Sequence, residues 1–255
     1  MGRRRELVLM KIFPVVHINK NDTDGSIAAR ESKIALNLGA DGVYLINHYN
    51  GDDTDRLFEA YNLALAESPD KYIGVNILGM SPIGAMRALA KSLRQKNGDG
   101  LLLPPAGLWV DDMRGYGDES FPKLEALELK KSDENLKRVR LIGGVAFKYT
   151  NTYHGDPDMS RYEAVWLEDS VDVMATSGPA TGQPPSVEKC IAMKEVIGNK
   201  PLAVASGLSA ENIRQYEGIV NEAMVSTSIE TYHGSGRFNV LKLDELIKIA
   251  HDLAD

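Results

Sequence analysis

The chain has 255 residues, 43% of them hydrophobic and 25% charged, proportions that bury an ordinary core and exclude a disordered or fibrous protein. Its 29 basic residues against 36 acidic ones leave a formal charge of -7, which repels phosphodiester backbones, so nucleic acid is not an expected partner. A single cysteine, Cys190, excludes an intrachain disulfide and a multi-cysteine metal site.

Residues 1–10 read as a tail carrying the only basic run, Arg3, Arg4 and Arg5. The apolar stretch behind it is interrupted by Lys11 and Pro14, too early for a secretory leader or a membrane span, so a cytoplasmic protein without a transmembrane segment is expected. "KIFPVVHI" (11–18) is strand-like, and "GSIAARESKIALNLGA" (25–40) then carries Ile27, Ile34 and Leu38 at helical spacing. "DGVYLIN" (41–47) is a second strand, followed by a helix over 53–68 with Leu57, Tyr61, Ala64 and Leu65 on one stripe. "YIGVNIL" (72–78) leads into a helix over 81–98, where Ser81 can cap and Pro82 fits the first helical position.

The fourth strand is read at "GLLLP" (100–104), with an irregular section over 105–122 and a charged helix running to about Arg138. Long loops inside compact domains tend to be functional. A fifth strand spans 139–149, and a loop with Thr150, Thr152, His154 and Asp156 leads to a helix over 159–170. The sixth strand, "VDVMATS" (171–177), ends in a Ser-, Gly-, Pro- and Thr-rich loop, and the helix beyond it places Val187, Cys190, Ile191, Lys194 and Ile197 on one mostly apolar face. Cys190 is therefore read as a small core residue. "PLAVAS" (201–206) with "SAENIRQYEG" (209–218) makes a seventh unit, and "EAMVSTS" (222–228) with a helix over 242–254 an eighth.

Eight strand–helix units in a chain of this size point to one domain over 1–255, a single closed (β/α)8 TIM barrel. The competing reading, an open doubly wound sheet, lacks its dinucleotide loop: the first strand is followed by "HINKNDTDGS" rather than G-x-G-x-x-G. A barrel keeps its chemistry at the carboxyl ends of its strands. There the sequence offers His17, Asn47, His48, Asn76, Lys148 and the Asp111–Asp112 pair. Loop six adds Thr176, Ser177, Gly178 and Thr181 as substrate-binding candidates, since small residues admit a ligand and hydroxyls can donate to it. Ser206 and Gly207 after strand seven, with Thr227 and Ser228 after strand eight, fall where barrels often bind phosphate. The competing view is that these loops are Gly and Pro turns reversing the chain.

"PVVHI", "LGADGVYLIN", "IGVNILG", "SGPATGQPPS" and "PLAVASGLSAENI" resemble the corresponding pieces of the BtpA (BtpA/SgcQ) family over most of the chain. The resemblance implies a phosphate-binding type of TIM barrel with a small-molecule site. Members are associated with photosystem I biogenesis and with sugar-related operons, so it implies either an enzyme or a non-catalytic assembly or regulatory factor. Two departures are visible: Ser226-Thr227 stands where the family tends to have Gly-Ser, and Glu230 lies near a position that is often Lys. An acid there repels a phosphate unless Arg237 or the Gly234–Gly236 turn compensates.

The expected chemistry is isomerase- or lyase-type, on a phosphorylated or sugar-like small molecule. His17 is the candidate general base, Asp112 the partner acid and Lys148 the group that neutralises substrate charge. A Schiff base on Lys148 is the sharper alternative. Trp109 reads as a lid, a stacking residue or packing for its loop. No pair has a recognised metal spacing, so no cofactor is predicted and a divalent metal is left open. A homo-oligomer is expected.

Overall fold

A computed structural model describes residues 10–48, 54–95, 103–115, 122–150 and 153–252. The Arg3–Arg5 run and Thr152 lie outside the described residues. Eight parallel strands close into a barrel in chain order: β1 (Lys11–Ile18), β2 (Val43–Asn47), β3 (Ile73–Asn76), β4 (Gly107–Val110), β5 (Arg140–Gly144), β6 (Val173–Thr176), β7 (Leu202–Val204) and β8 (Glu222–Val225). Seven α-helices surround it among the described residues: α1 (Ser26–Asn37), α2 (Thr54–Glu67), α3 (Pro82–Gln95), α4 (Pro122–Ser132), α5 (Pro157–Leu167), α6 (Val187–Ile197) and α7 (Val240–Asp252). This is the (β/α)8 TIM barrel that the strand–helix rhythm calls for.

Caps fix where the helices start. Pro82 opens α3 with the Ser81 hydroxyl accepting from the Gly84 amide at 3.2 Å. Asp156 caps α5 by accepting from Met159 N, and Ser186 caps α6 by accepting from Lys189 N. Cys190 is fully buried on α6.

Three elements differ from the reading of the sequence, one of them the fifth strand, read over 139–149 and ending at Gly144. The fourth strand is "GLWV" at Gly107–Val110, inside the stretch read as a loop, and not 100–104, of which 100–102 lie outside the described residues. The reason is Pro104–Pro105, which have no N–H to give a central strand, whereas Trp109 pairs with both Asn76 and Ile142. The helix expected over 209–218 is only a 3-10 turn, Ile213–Tyr216. Asn212 accepts from Ser209 N at 2.9 Å and donates to Gly207 O at 2.8 Å, which ties the chain into the loop where a first helical turn would form.

The strand period of two sorts the core into two shells. Ile12, Val16, Ile18, Val43, Leu45, Val75, Leu108, Val110, Leu141 and Val204 face the helices. Phe13, Val15, Tyr44, Ile46, Trp109, Ile142, Val173, Ala175, Ala203 and Met224 fill the barrel interior. Trp109 therefore packs inside the barrel, edge-on to Tyr44 and Phe147, and is not a lid.

Candidate functional site

The same period decides what reaches the barrel mouth. Each strand-end residue two positions beyond an interior residue continues inward: His17 after Val15, His48 after Ile46, Asp111 after Trp109 and Ser226 after Met224. Together with Lys148, Glu230 and His233 they line a cavity of about 530 Å³ at the carboxyl ends of the strands. Thr181, Ser206, Gly207, Thr227 and Ser228 line it from loops six to eight.

His17 is held by β8 and the loop after it. Its Nδ1 lies 3.1 Å from Ser226 Oγ and 3.5 Å from Glu230 Oε1. Ser226 Oγ donates its one proton to Glu230 Oε1 at 3.2 Å, and an ionised carboxylate only accepts. In the neutral ring Nδ1 is then the nitrogen that carries hydrogen, and Nε2 has the lone pair. Glu230 is 3% exposed; burial raises its pKa, but hydrogen bonds from His17, the Gly234 amide (2.8 Å to Oε2) and Ser226 outweigh this and hold it below the usual carboxylate range. The Gly234 amide thus binds the carboxylate and helps to keep it ionised. Burial, and then the neighbouring His17 ring 5.0 Å away, lower the pKa of His48 and favour its neutral form.

Asp111 and Lys148 form the second pair of charged groups. Burial pushes the Asp111 carboxyl up to about 6, against the hydrogen bond from Asn76 Nδ2 (2.9 Å) and the nearby Lys148 charge. Lys148 is shifted downward by burial, opposed by Asp111, and its Nζ donates to Ala205 O at 3.0 Å. β5 stops at Gly144, four residues short of Lys148, so the lysine projects from a turn and not from the strand end. That turn holds Ala146 at φ 49° and Tyr149 at φ 60°, both left-handed without being glycine.

The other expected site residues divide by position. Asn47 and Thr176 fall on the outward side of the strand period: Asn47 Oδ1 accepts from Leu78 N at 2.9 Å, and Thr176 is fully buried. Asn76 reaches the cavity only through Asp111. Asp112, one residue past Asp111, faces away from the cavity and is buried, accepting from Arg114 N at 2.9 Å. Sequence reading paired His17 with Asp112; counting by twos from Trp109 singles out Asp111. Ser177 Oγ accepts from Lys148 N at 2.7 Å, behind the cavity wall.

The glycines and serines of the upper loops bind the loops to one another. A Cβ on Gly178 would lie 2.1 Å from Gln183 O, and one on Gly207 (φ 70°) 2.2 Å from Pro184 N. Ser206 Oγ donates to Ala180 O at 2.8 Å and Ser228 Oγ to Leu208 O at 2.7 Å. Both hydroxyl protons are thereby engaged within the protein. Among the described residues, no cluster of three or more His, Cys, Asp or Glu is arranged to hold a metal ion. No described helix is long and apolar enough to cross a membrane.

No protein-family model and no curated protein matches the chain. Its fold is shared with many solved structures. (S)-3-O-geranylgeranylglyceryl phosphate synthase from Thermoplasma acidophilum, in complex with its substrate sn-glycerol-1-phosphate, is 10% identical at a TM-score of 0.62, covering 95% of this chain and 94% of that one. A protein from Aquifex aeolicus VF5 is 16% identical at 0.60, covering 97% and 94%. Phosphoribosyl anthranilate isomerase, in complex with reduced 1-(o-carboxyphenylamino)-1-deoxyribulose 5-phosphate, is 14% identical at 0.58, covering 94% and 98%. These neighbours are TIM-barrel proteins that include enzymes of phosphorylated metabolites, and at such identities the likeness is one of fold.

Proposed function

We propose that the chain is a BtpA-like enzyme that moves a proton on a phosphorylated or sugar-like small molecule, in an isomerase- or lyase-type reaction. The observation that carries this reading is the His17–Ser226–Glu230 arrangement, which leaves the Nε2 lone pair of a half-buried imidazole beside a cavity that also holds a lysine and a carboxyl. His17 takes the proton from a carbon next to a carbonyl, and Glu230 stabilises the imidazolium that forms. Lys148 stabilises the negative charge that develops on the carbonyl oxygen. Asp111, whose pKa of about 6 leaves part of the population protonated near neutrality, returns a proton. The substrate anion sits against the Gly207 backbone and Thr227 at the corner of loops seven and eight, the usual phosphate corner of such barrels.

The test is incubation with a panel of phosphosugars in D2O, following deuterium incorporation by proton NMR, beside a thermal-shift screen of the same compounds. Exchange that requires His17, on a compound that also raises Tm, supports the reading. Binding without exchange across the panel defeats it. A partner-binding role is favoured by one observation, the exposed Met159, Tyr162, Val165 and Trp166 on one face of α5. Light scattering of the protein with Tyr162→Glu then reads whether that face joins two copies.

A further inference from the structure

We infer that Lys189, buried in α6 and outside the cavity, is a positioning residue that clamps the strained turn presenting Lys148. The inference rests on the proposed use of Lys148 and deepens it. Lys189 is 1% exposed, and its Nζ donates to Ala146 O at 2.7 Å and to Ser177 O at 2.9 Å, one carbonyl from each of two neighbouring loops. The Tyr153 ring lies 4.8 Å from the ammonium and supplies a third favourable contact.

These bonds meet at the place where the backbone is least comfortable. The left-handed region is unfavourable for a residue with a Cβ, and Ala146 and Tyr149 bracket Phe147 and Lys148 in that conformation. Such a turn persists only where its surroundings over-determine it. Here Glu163 Oε1 accepts from Ala146 N at 3.1 Å, Lys189 holds Ala146 O, and Ser177 Oγ takes the Lys148 amide. Lys189 also fixes Ser177 itself through its carbonyl, so one ammonium holds both the start of the turn and the acceptor for its key amide.

The consequence is chemical. Held in this way, the Lys148 side chain is kept against Ala205 O and away from solvent, and burial lowers its pKa. A released turn lets the amine reach water, which returns it toward ordinary lysine basicity.

Lys189→Met keeps the length and volume of the side chain and removes the ammonium, and Ser177→Ala removes the acceptor for Lys148 N with a smaller disturbance. The readout is pH-dependent modification of Lys148 by an amine-acylating reagent, mapped by mass spectrometry on variants that retain the native circular dichroism. For each variant, labelling at pH 7 relative to its own alkaline plateau is expected to fall below the wild-type ratio, because an amine nearer ordinary lysine basicity is less often neutral at that pH. An unchanged Lys148 profile in folded Lys189→Met overturns the inference, and where that variant does not fold an unchanged profile in Ser177→Ala does so. The measurement needs no substrate: altered profiles in a protein that catalyses no exchange count against the proposed reaction and leave the clamp standing.

Discussion

Both ends of the barrel interior contain buried charge, and the two ends treat it differently. At the amino-terminal end Arg140 and Glu222 face each other across the barrel at 2.6 Å, against the Tyr44–Tyr72 hydroxyl pair at 2.7 Å and the Phe13 ring. Opposite charges there meet directly and aromatic rings fill the remaining space. At the mouth, Lys148 is tied to a backbone carbonyl, Asp111 to Asn76, and Glu230 to an imidazole, a serine and an amide. The floor uses charge to close the barrel. The mouth holds each charge on the scaffold with a face still turned to the cavity, the arrangement expected where charge is to act on a ligand.

The comparison breaks most visibly at the floor. Glu222→Leu leaves the Arg140 guanidinium without its partner in a mostly buried place, and removing one member of such a pair costs about 3–5 kcal/mol. Urea unfolding should show a loss of unfolding free energy of that size, while any compound that stabilises the wild type through the mouth should still stabilise the variant. A loss below about 1 kcal/mol would mean that the pair is solvated and contributes little, as surface pairs do.

At the mouth the expected order reverses, with a large effect on turnover and a small one on stability. His17→Gln removes the Nε2 base, and kcat/KM on the compound found by deuterium exchange should fall about a hundredfold to ten-thousandfold. The unfolding midpoint should move little, because the side chain is a quarter exposed and lies at the cavity wall. An equal loss of stability and activity would instead place His17 among the residues that hold the barrel together.

The contrast between floor and mouth was only half legible in the sequence. The barrel was readable because strand-like apolar runs alternate with helix-like segments along the chain, and His17 was readable because it lies at the end of a strand two residues after Val15. The choice between Asp111 and Asp112 required the true register of β4, which a run of leucines before two prolines concealed. That Glu230 accepts from His17 and Ser226 was not legible, because these residues come together only when β8 pairs with β1. Lys189 carried no signal at all, since one lysine among Glu188, Lys194 and Glu195 of the same helix reads as a solvated residue until the helix is docked.

Asp111→Asn sharpens the comparison through pH. Its folded pKa of about 6 stands above the unfolded value of about 3.9, so the native state binds this proton more tightly. The stabilisation is fully present below the unfolded pKa and is lost as pH rises through 6. At pH 7 the wild type therefore bears a buried charge that asparagine lacks, and the variant should be more stable by roughly 3 kcal/mol. Below about pH 4 the two unfolding curves should coincide. A variant equally stable at both pH values would show that Asp111 keeps its charge in water at no cost.

The smallest effect is expected from Ser206, the residue with the plainest phosphate-binding appearance in the sequence. A serine has one proton to donate, and here Ala180 O holds it, tying loop seven to loop six. A phosphate oxygen needs a donor, so the hydroxyl serves either the loop or the ligand. Ser206→Ala should therefore cost about 1 kcal/mol of stability through the lost loop contact and weaken binding of inorganic phosphate by less than about threefold. A tenfold loss of phosphate affinity with unchanged stability would mean that the hydroxyl turns from Ala180 to the ligand, and that the mouth, unlike the floor, rearranges its hydrogen bonds when it is filled.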